Sequence, residues 1–198
     1  MTADPNFDAV LAAARAGDGR AATALFEALA RPVAGYLRGR GVEDPDGAAN
    51  EVFVRVFTRI GRFVGDETQF RSWVFTIARN LAVDEQRVRA RRGECVAIDA
   101  HVARLASREV AVEERVVATR RVDELLAPLS PDQRDVMLLR FVAELSLEET
   151  ANAMGKRVTA IKALQHRAIG ALRKQLPRPQ RATPAAPAAS TAVLAQPA

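Results

Sequence analysis

The 198-residue chain has one cysteine, Cys95, and two histidines, His101 and His166. A lone thiol closes no intrachain disulfide, and one thiol with two imidazoles falls short of the usual zinc ligand set. Neither a disulfide framework nor a metal site is expected, and a reducing, cytoplasmic setting fits. Aromatics make up only 5% of the chain, so Ala, Val and Leu must fill most of the core. No stretch approaches the roughly 18 apolar residues of a membrane span. The start, Met1-Thr2-Ala3-Asp4-Pro5-Asn6, has neither the basic beginning nor the apolar run of a signal peptide. Direct membrane insertion is therefore not expected. Convergent carboxylates and histidines are also missing. The acidic residues fall at helix caps or on polar helix faces, and neither histidine has an evident partner. Acid–base or metal-assisted catalysis has no visible machinery, so an enzyme, a small-molecule substrate and a cofactor are not expected.

What is present is helical pattern and positive charge. Lys+Arg number 29 against 24 Asp+Glu, a net charge of +5. This balance favours an anionic partner, nucleic acid or a membrane surface. Alternating strand patterns are nearly absent. Phe7, Val10, Leu11 and Ala14 repeat with helical spacing, and Gly17-Asp18-Gly19 ends that run. A second helix carries Leu25, Leu29, Val33, Tyr36 and Leu37 and stops around Gly39 and Gly41. Asp44-Pro45, a capping side chain followed by proline at the first helical position, starts a third. It carries Ala49, Val52, Phe53, Val56, Phe57 and Ile60. A fourth runs from near Phe70 to about Arg92. The pattern then weakens, and 93–112 reads as a linker between an N-terminal block, 1–92, and a second helical block, 113–176. The second block's first helix includes Val116, Val122, Leu125 and Leu126. From Pro177 to the end, 177–198, Pro, Ala, Ser and Thr predominate, and a disordered tail is expected. The expected fold is all-α: two small helical domains joined by a linker.

The second block holds a helix-turn-helix pattern. Ser130-Pro131-Asp132-Gln133 and Ser146-Leu147-Glu148-Glu149 are capping boxes. Ala151 is small enough for two helices to approach, Gly155 permits a left-handed turn, and Ile161 anchors the second helix. Val158, Ile161, Gln165, Ala168 and Leu172 cluster on one side of that helix. Thr159, Lys162, Ala163, His166 and Gly170 lie on the other. A helix face of small and basic residues suits a major groove, where base edges carry the sequence code. Arg157, Arg167, Arg173 and Lys174 flank it within reach of phosphates. The plain alternative is an amphipathic helix with a solvated face, and the turn spacing and paired capping boxes weigh against it.

In the first block Asn80, Asp84, Arg87 and Arg91 form one stripe along the fourth helix. Arg89 and Arg92 add charge nearby, and Phe63, Phe70, Trp73 and Phe75 surround the preceding loop. Basic groups hold a phosphate backbone while aromatics support unstacked bases. The plain reading makes Phe70 and Trp73 core residues, and for Trp73 it is preferred. Core packing does not call for the polar stripe.

Asn50-Glu51-Val52-Phe53-Val54-Arg55-Val56-Phe57 and Phe70-Arg71-Ser72-Trp73-Val74-Phe75-Thr76-Ile77-Ala78-Arg79-Asn80-Leu81-Ala82-Val83-Asp84-Glu85 together resemble the second conserved region of extracytoplasmic-function (ECF) sigma factors. Leu129-Ser130-Pro131-Asp132-Gln133-Arg134-Asp135-Val136 through Leu145-Ser146-Leu147-Glu148-Glu149-Thr150-Ala151 resembles their fourth. The resemblance covers about residues 7–92 and 113–176. It implies a transcription initiation factor that works with core RNA polymerase and promoter DNA, commonly restrained by an anti-sigma protein. It further implies that Asn50, Glu51, Phe53 and Val54 dock on the polymerase clamp helices. Phe63, Phe70, Asn80, Asp84, Arg87 and Arg91 would then recognise and open the minus-ten element. Arg157, Thr159, Lys162, Ala163, His166 and Arg167 would face the minus-thirty-five element. The chain departs from the family where Gly47 and Asn50 replace the usual Asp and Gln, and where Ala163 and Leu164 replace Ser and Arg. The competing reading is a repressor or activator using the same helix-turn-helix without polymerase, which leaves the first block unexplained.

Overall fold

The computed structural model of the chain describes residues 6–91 and 124–175. Among them every regular element is helical and there is no strand. The first block comprises α1 (Phe7–Arg15), α2 (Gly19–Gly39), α3 (Pro45–Arg59) and α4 (Glu67–Arg91), with a 3-10 turn at Ile60–Arg62 between the last two. The second comprises α5 (Pro131–Phe141), α6 (Leu147–Met154) and α7 (Val158–Gln175). The expected linker 93–112, the expected tail 177–198, and Val116 and Val122 lie outside the described residues.

Local chemistry sets the helix starts. The Asp18 carboxylate accepts from the Arg20 amide at 2.7 Å, and Asp44 accepts from the Gly47 amide at 3.0 Å with Pro45 opening α3. Each carboxylate satisfies an amide that the first turn leaves without a backbone partner. α4 starts at Glu67, earlier than the expected start near Phe70. The reason is a reciprocal cap: the Gln69 amide donates to Asp66 Oδ1 at 2.8 Å, and the Asp66 amide donates to Gln69 Oε1 at 3.1 Å. This is the logic of a capping box with Asp and Gln in its two positions.

Val33, Tyr36, Leu37, Val52, Val56, Phe70, Val74 and Phe75 are fully buried and form the centre of the first block. Val136, Leu139, Leu145 and Ile161 do the same in the second. The two blocks are packed face to face: α6 lies along α4, and α5 meets α2. Glycine on α2 lets the side chains at the end of α5 come close. A Cβ at Gly35 would stand 2.9 Å from Val142 Cγ1, and the Leu138 side chain fills the space where Gly39 would carry one.

Buried polar groups tie this interface. Asp135 on α5 accepts the Tyr36 hydroxyl at 2.7 Å and Arg79 Nε at 2.9 Å, and it stands 3.1 Å from Arg40 Nε. All three partners belong to the first block. Arg71 supplies a second tie, donating to the Ala143 carbonyl at 3.0 Å and pairing with Glu149 at 3.3 Å. Asp135 is 1% exposed and Arg40 3%. A charge so far from water is tolerated only while it is paired and hydrogen-bonded.

Tyr36 is the only tyrosine in the chain. Burial pushes its hydroxyl pKa well above the ordinary value of 10.0, and the Asp135 charge pushes the same way, against the pull of Arg40 and Arg79. A raised folded-state pKa contributes stability that is complete below the unfolded value. That contribution is lost as pH rises through the folded value. We expect tyrosinate absorbance on alkaline titration to appear only as the chain opens or unfolds. Tyr36→Phe should cost about 1–2 kcal/mol at neutral pH and remove this part of the alkaline loss, measured as denaturation midpoints on both sides of pH 10. Tyrosinate appearing at its ordinary pH in a closed, folded chain would contradict the burial described.

Candidate nucleic-acid and polymerase interfaces

The helix-turn-helix is built as its spacing implies. Ser146 accepts from the Glu149 amide at 3.0 Å, and the Glu149 carboxylate accepts from the Ser146 amide at 2.6 Å, fixing the start of α6. The helix ends at Gly155, whose φ of 61° is left-handed, and the Lys156 amide donates back to the Ala151 carbonyl at 2.9 Å. A side chain at 155 would strain that turn. α7 then buries Ile161 and Ala168 and partly buries Val158, Leu164 and Leu172. Arg157, Thr159, Lys162, Ala163, His166 and Arg167 are all exposed. Packing therefore divides α7 into an anchored side and a free side, and the expected groove-facing residues share the free one. This side stays in solvent although the two blocks are packed together.

On α4, Asn80, Asp84, Arg87 and Arg91 are all exposed. Arg87 lies 3.5 Å from Asp84, with both side chains about two-thirds exposed. Such a pair is weak in water, so it holds neither side chain firmly. Arg89 differs from expectation. It donates to the Gly41 carbonyl at 2.8 Å and pairs with Glu85, so it braces the fold and does not extend the charged stripe. Arg92 lies outside the described residues.

The aromatic group needs correction. Phe70 and Phe75 are fully buried. Phe70 packs against Phe7 and Phe63 at 5.6 and 5.4 Å between ring centres, and Phe75 meets Tyr36 edge-on at 6.0 Å. Phe70 is thus a floor under the loop and does not face a strand. Phe63 and Trp73 are half-buried and stacked, with ring centres 5.0 Å apart and planes 21° apart. The preceding loop also presents a residue not expected from sequence: Val64, 91% exposed. The available signal is an apolar pair, Phe63-Val64, between Gly61 and Gly65, of which the short loop covers only the first.

On α3, Asn50 and Glu51 are exposed, and Val54 is 66% exposed. Phe53 is 2% exposed and packs edge-on against Phe26 at 4.9 Å, so it anchors α3 from within and presents nothing to a partner. Glu51 pairs with Arg55 at 2.8 Å. The remaining free surface of α3 is polar with Val54 as its apolar point.

Comparison with known proteins bears on this arrangement. The sigma-70 region 2 family matches residues 25–92, and sigma-70 region 4 matches residues 125–174. The ECF RNA polymerase sigma factor SigD of Mycobacterium bovis is 32% identical over 179 residues, covering 85% of this chain and 83% of SigD. The chain belongs to the ECF sigma factors. This sigma factor is also 32% identical over 171 residues to ECF RNA polymerase sigma factor BldN of Streptomyces coelicolor. That match takes in 83% of this chain but 63% of BldN. Among solved structures, CnrH in complex with the cytosolic domain of CnrY superposes with a TM-score of 0.67 at 25% identity, covering 86% of this chain and 96% of CnrH. The sigma factor's two matched regions correspond to the two helical blocks, and the helix-turn-helix lies in region 4. Among the described residues, no helix is long and apolar enough to cross a membrane.

Proposed function

We propose that this sigma factor directs core RNA polymerase to specific promoters as a dissociable initiation subunit, and that three separate surfaces divide the work. The observation that carries the reading is the joint exposure of the α4 stripe and the α7 face on one chain with the region 2 and region 4 matches. The α3 surface of Asn50, Glu51 and Val54 meets the polymerase clamp helices. Phe63 with Asn80, Asp84, Arg87 and Arg91 handles the minus-ten element. Arg157, Thr159, Lys162, Ala163, His166 and Arg167 face the minus-thirty-five element. Phe70 and Phe53 serve these sites from inside the core. The protein acts by binding, in the cytoplasm, and an anti-sigma protein holds it inactive. The seating of CnrH against CnrY supports that partner class.

Run-off transcription with core polymerase and this chain tests the reading. Initiation at discrete start sites is expected. Tight duplex binding without polymerase, together with silence in the run-off assay, would instead mark a conventional helix-turn-helix regulator. Val54→Asp should lower polymerase affinity about tenfold or more, by burying an unpaired charge at the contact, while leaving the melting temperature unchanged. Unaltered polymerase binding by Val54→Asp would remove α3 from the docking surface.

A further inference from the structure

α1 ends at Arg15, ten residues before the start of the region 2 match at residue 25. Its guanidinium leaves its own helix and reaches the loop that precedes α4. There it donates to the Phe63 carbonyl, and its Cζ stands 5.8 Å from the centre of the Phe63 ring. The same ring is stacked on Trp73 and edge-on to Phe70. The Asp66–Gln69 cap fixes the loop's far end. The next side chain after Phe63, Val64, has no cover. An uncovered apolar residue is thus carried on a loop held at both ends, with Arg15 as the clasp at the near end.

Magnitudes separate two roles for Arg15. It is exposed, and an exposed arginine adds little to global stability. What it restrains is local: one carbonyl and one ring at the base of a short loop. A planar guanidinium suits this task because one edge donates a hydrogen bond while the plane lies near an aromatic ring. We propose that Arg15 is a positioning residue for minus-ten recognition, fixing the loop so that Phe63 and Val64 meet an unstacked base of the opened strand. The inference rests on the proposed role of that loop at the minus-ten element.

The chain's single tryptophan, Trp73, reports on the loop directly because it stacks on Phe63. The test compares the full chain with Arg15→Ala, Arg15→Lys and, at the exposed tip, Val64→Asp. Each is assayed free by thermal melting and by acrylamide quenching of Trp73, and as holoenzyme with core polymerase by permanganate footprinting. The footprinting uses a promoter and its single-base minus-ten variants. Arg15→Ala should keep its melting temperature, quench more readily, form open complexes about tenfold less well, and discriminate less among the minus-ten variants. Arg15→Lys, which can still donate to the carbonyl, should recover part of both signals. If Val64→Asp lowers opening while Arg15→Ala does not, Arg15 has no positioning role although the loop reading stands. If Val64→Asp leaves opening intact, the loop reading itself is wrong. If Arg15→Ala lowers opening equally on every variant with Trp73 quenching unchanged, the residue is a plain phosphate contact and the proposal fails.

Discussion

Asp135→Ala should uncouple the two blocks. The carboxylate is the shared acceptor of Tyr36 and Arg79 and the counter-charge of Arg40. Its removal leaves a 3% exposed guanidinium facing a methyl group. Removing one partner of a buried pair typically costs about 3–5 kcal/mol, because the other charge stays behind unpaired. Here the chain has a way to shed that cost: the interface opens and Arg40 regains water. The expected result is therefore a larger radius of gyration by small-angle scattering and two separate unfolding transitions where the parent shows one. Helix content by circular dichroism should barely change, since the α5 cap at Ser130 and the helix-turn-helix do not depend on Asp135. Asp135→Asn, which keeps an acceptor but loses the charge, should fall between. A single cooperative transition and unchanged scattering for the alanine variant would mean that apolar packing alone holds the blocks together.

The second large effect is a pair of separable losses. Lys162→Ala or His166→Ala removes a side chain from the free side of α7. A good bidentate base contact discriminates by about 1–3 kcal/mol, and a single contact by less. These variants should lose response to changes in the minus-thirty-five element by roughly five- to a hundredfold. They should still open a template with a pre-melted downstream bubble. Asn80→Ala or Arg87→Ala should do the reverse, sensing the upstream element normally while forming open complexes at least about tenfold less well. All four residues are exposed, so folding is not expected to suffer. Permanganate footprints run beside a binding assay would read the two defects apart. Proportional loss of binding and opening by both sets on every template would refute the division of labour.

Local signals are legible in the sequence and long-range ones are not. Asp44-Pro45, Ser130 with Gln133, Ser146 with Glu149, Gly155 and Ile161 each act within one turn or one helix, and each stands in the structure as its chemistry requires. The Asp66–Gln69 cap is equally local, and it starts α4 at Glu67, ahead of the apolar pattern that begins at Phe70. Phe53 and Phe70 show a limit of residue type. An aromatic on an amphipathic helix suits a core, a protein partner (Phe53) or a nucleobase (Phe70), and only packing against Phe26 or Phe7 decides. Asp135 shows a deeper limit. In Pro131-Asp132-Gln133-Arg134-Asp135 it looks like one more polar residue of a first turn. Its partner Tyr36 is 99 positions away, and nothing local marks the pairing. The same holds for Arg40, Arg71 and Arg79, whose charge points to solvent or phosphate until their buried acceptors are seen.

The packing of α6 along α4 has a consequence for promoter geometry. α7 rests on α6, so its axis lies two helix spacings from α4, at most about 20 Å when each packed pair is about 8–10 Å apart. Elements named minus-ten and minus-thirty-five are about 25 base pairs apart, or about 85 Å along a duplex that rises about 3.4 Å per pair. On the proposed assignment of α4 and α7 to these elements, a closed chain can address one of them at a time. Engaging both requires separating α4 from α6, which also hands Arg40, Arg71 and Arg79 back to solvent. Each 1.4 kcal/mol by which closure is favoured lowers the open fraction about tenfold, and the apparent affinity of a partner that binds only the open form falls by the same factor. A binding partner that favours closure by a further 1.4 kcal/mol would cut the open fraction another tenfold. Inhibition would then need no contact with the α7 face at all, because the partner only has to deepen an equilibrium the interface has already set.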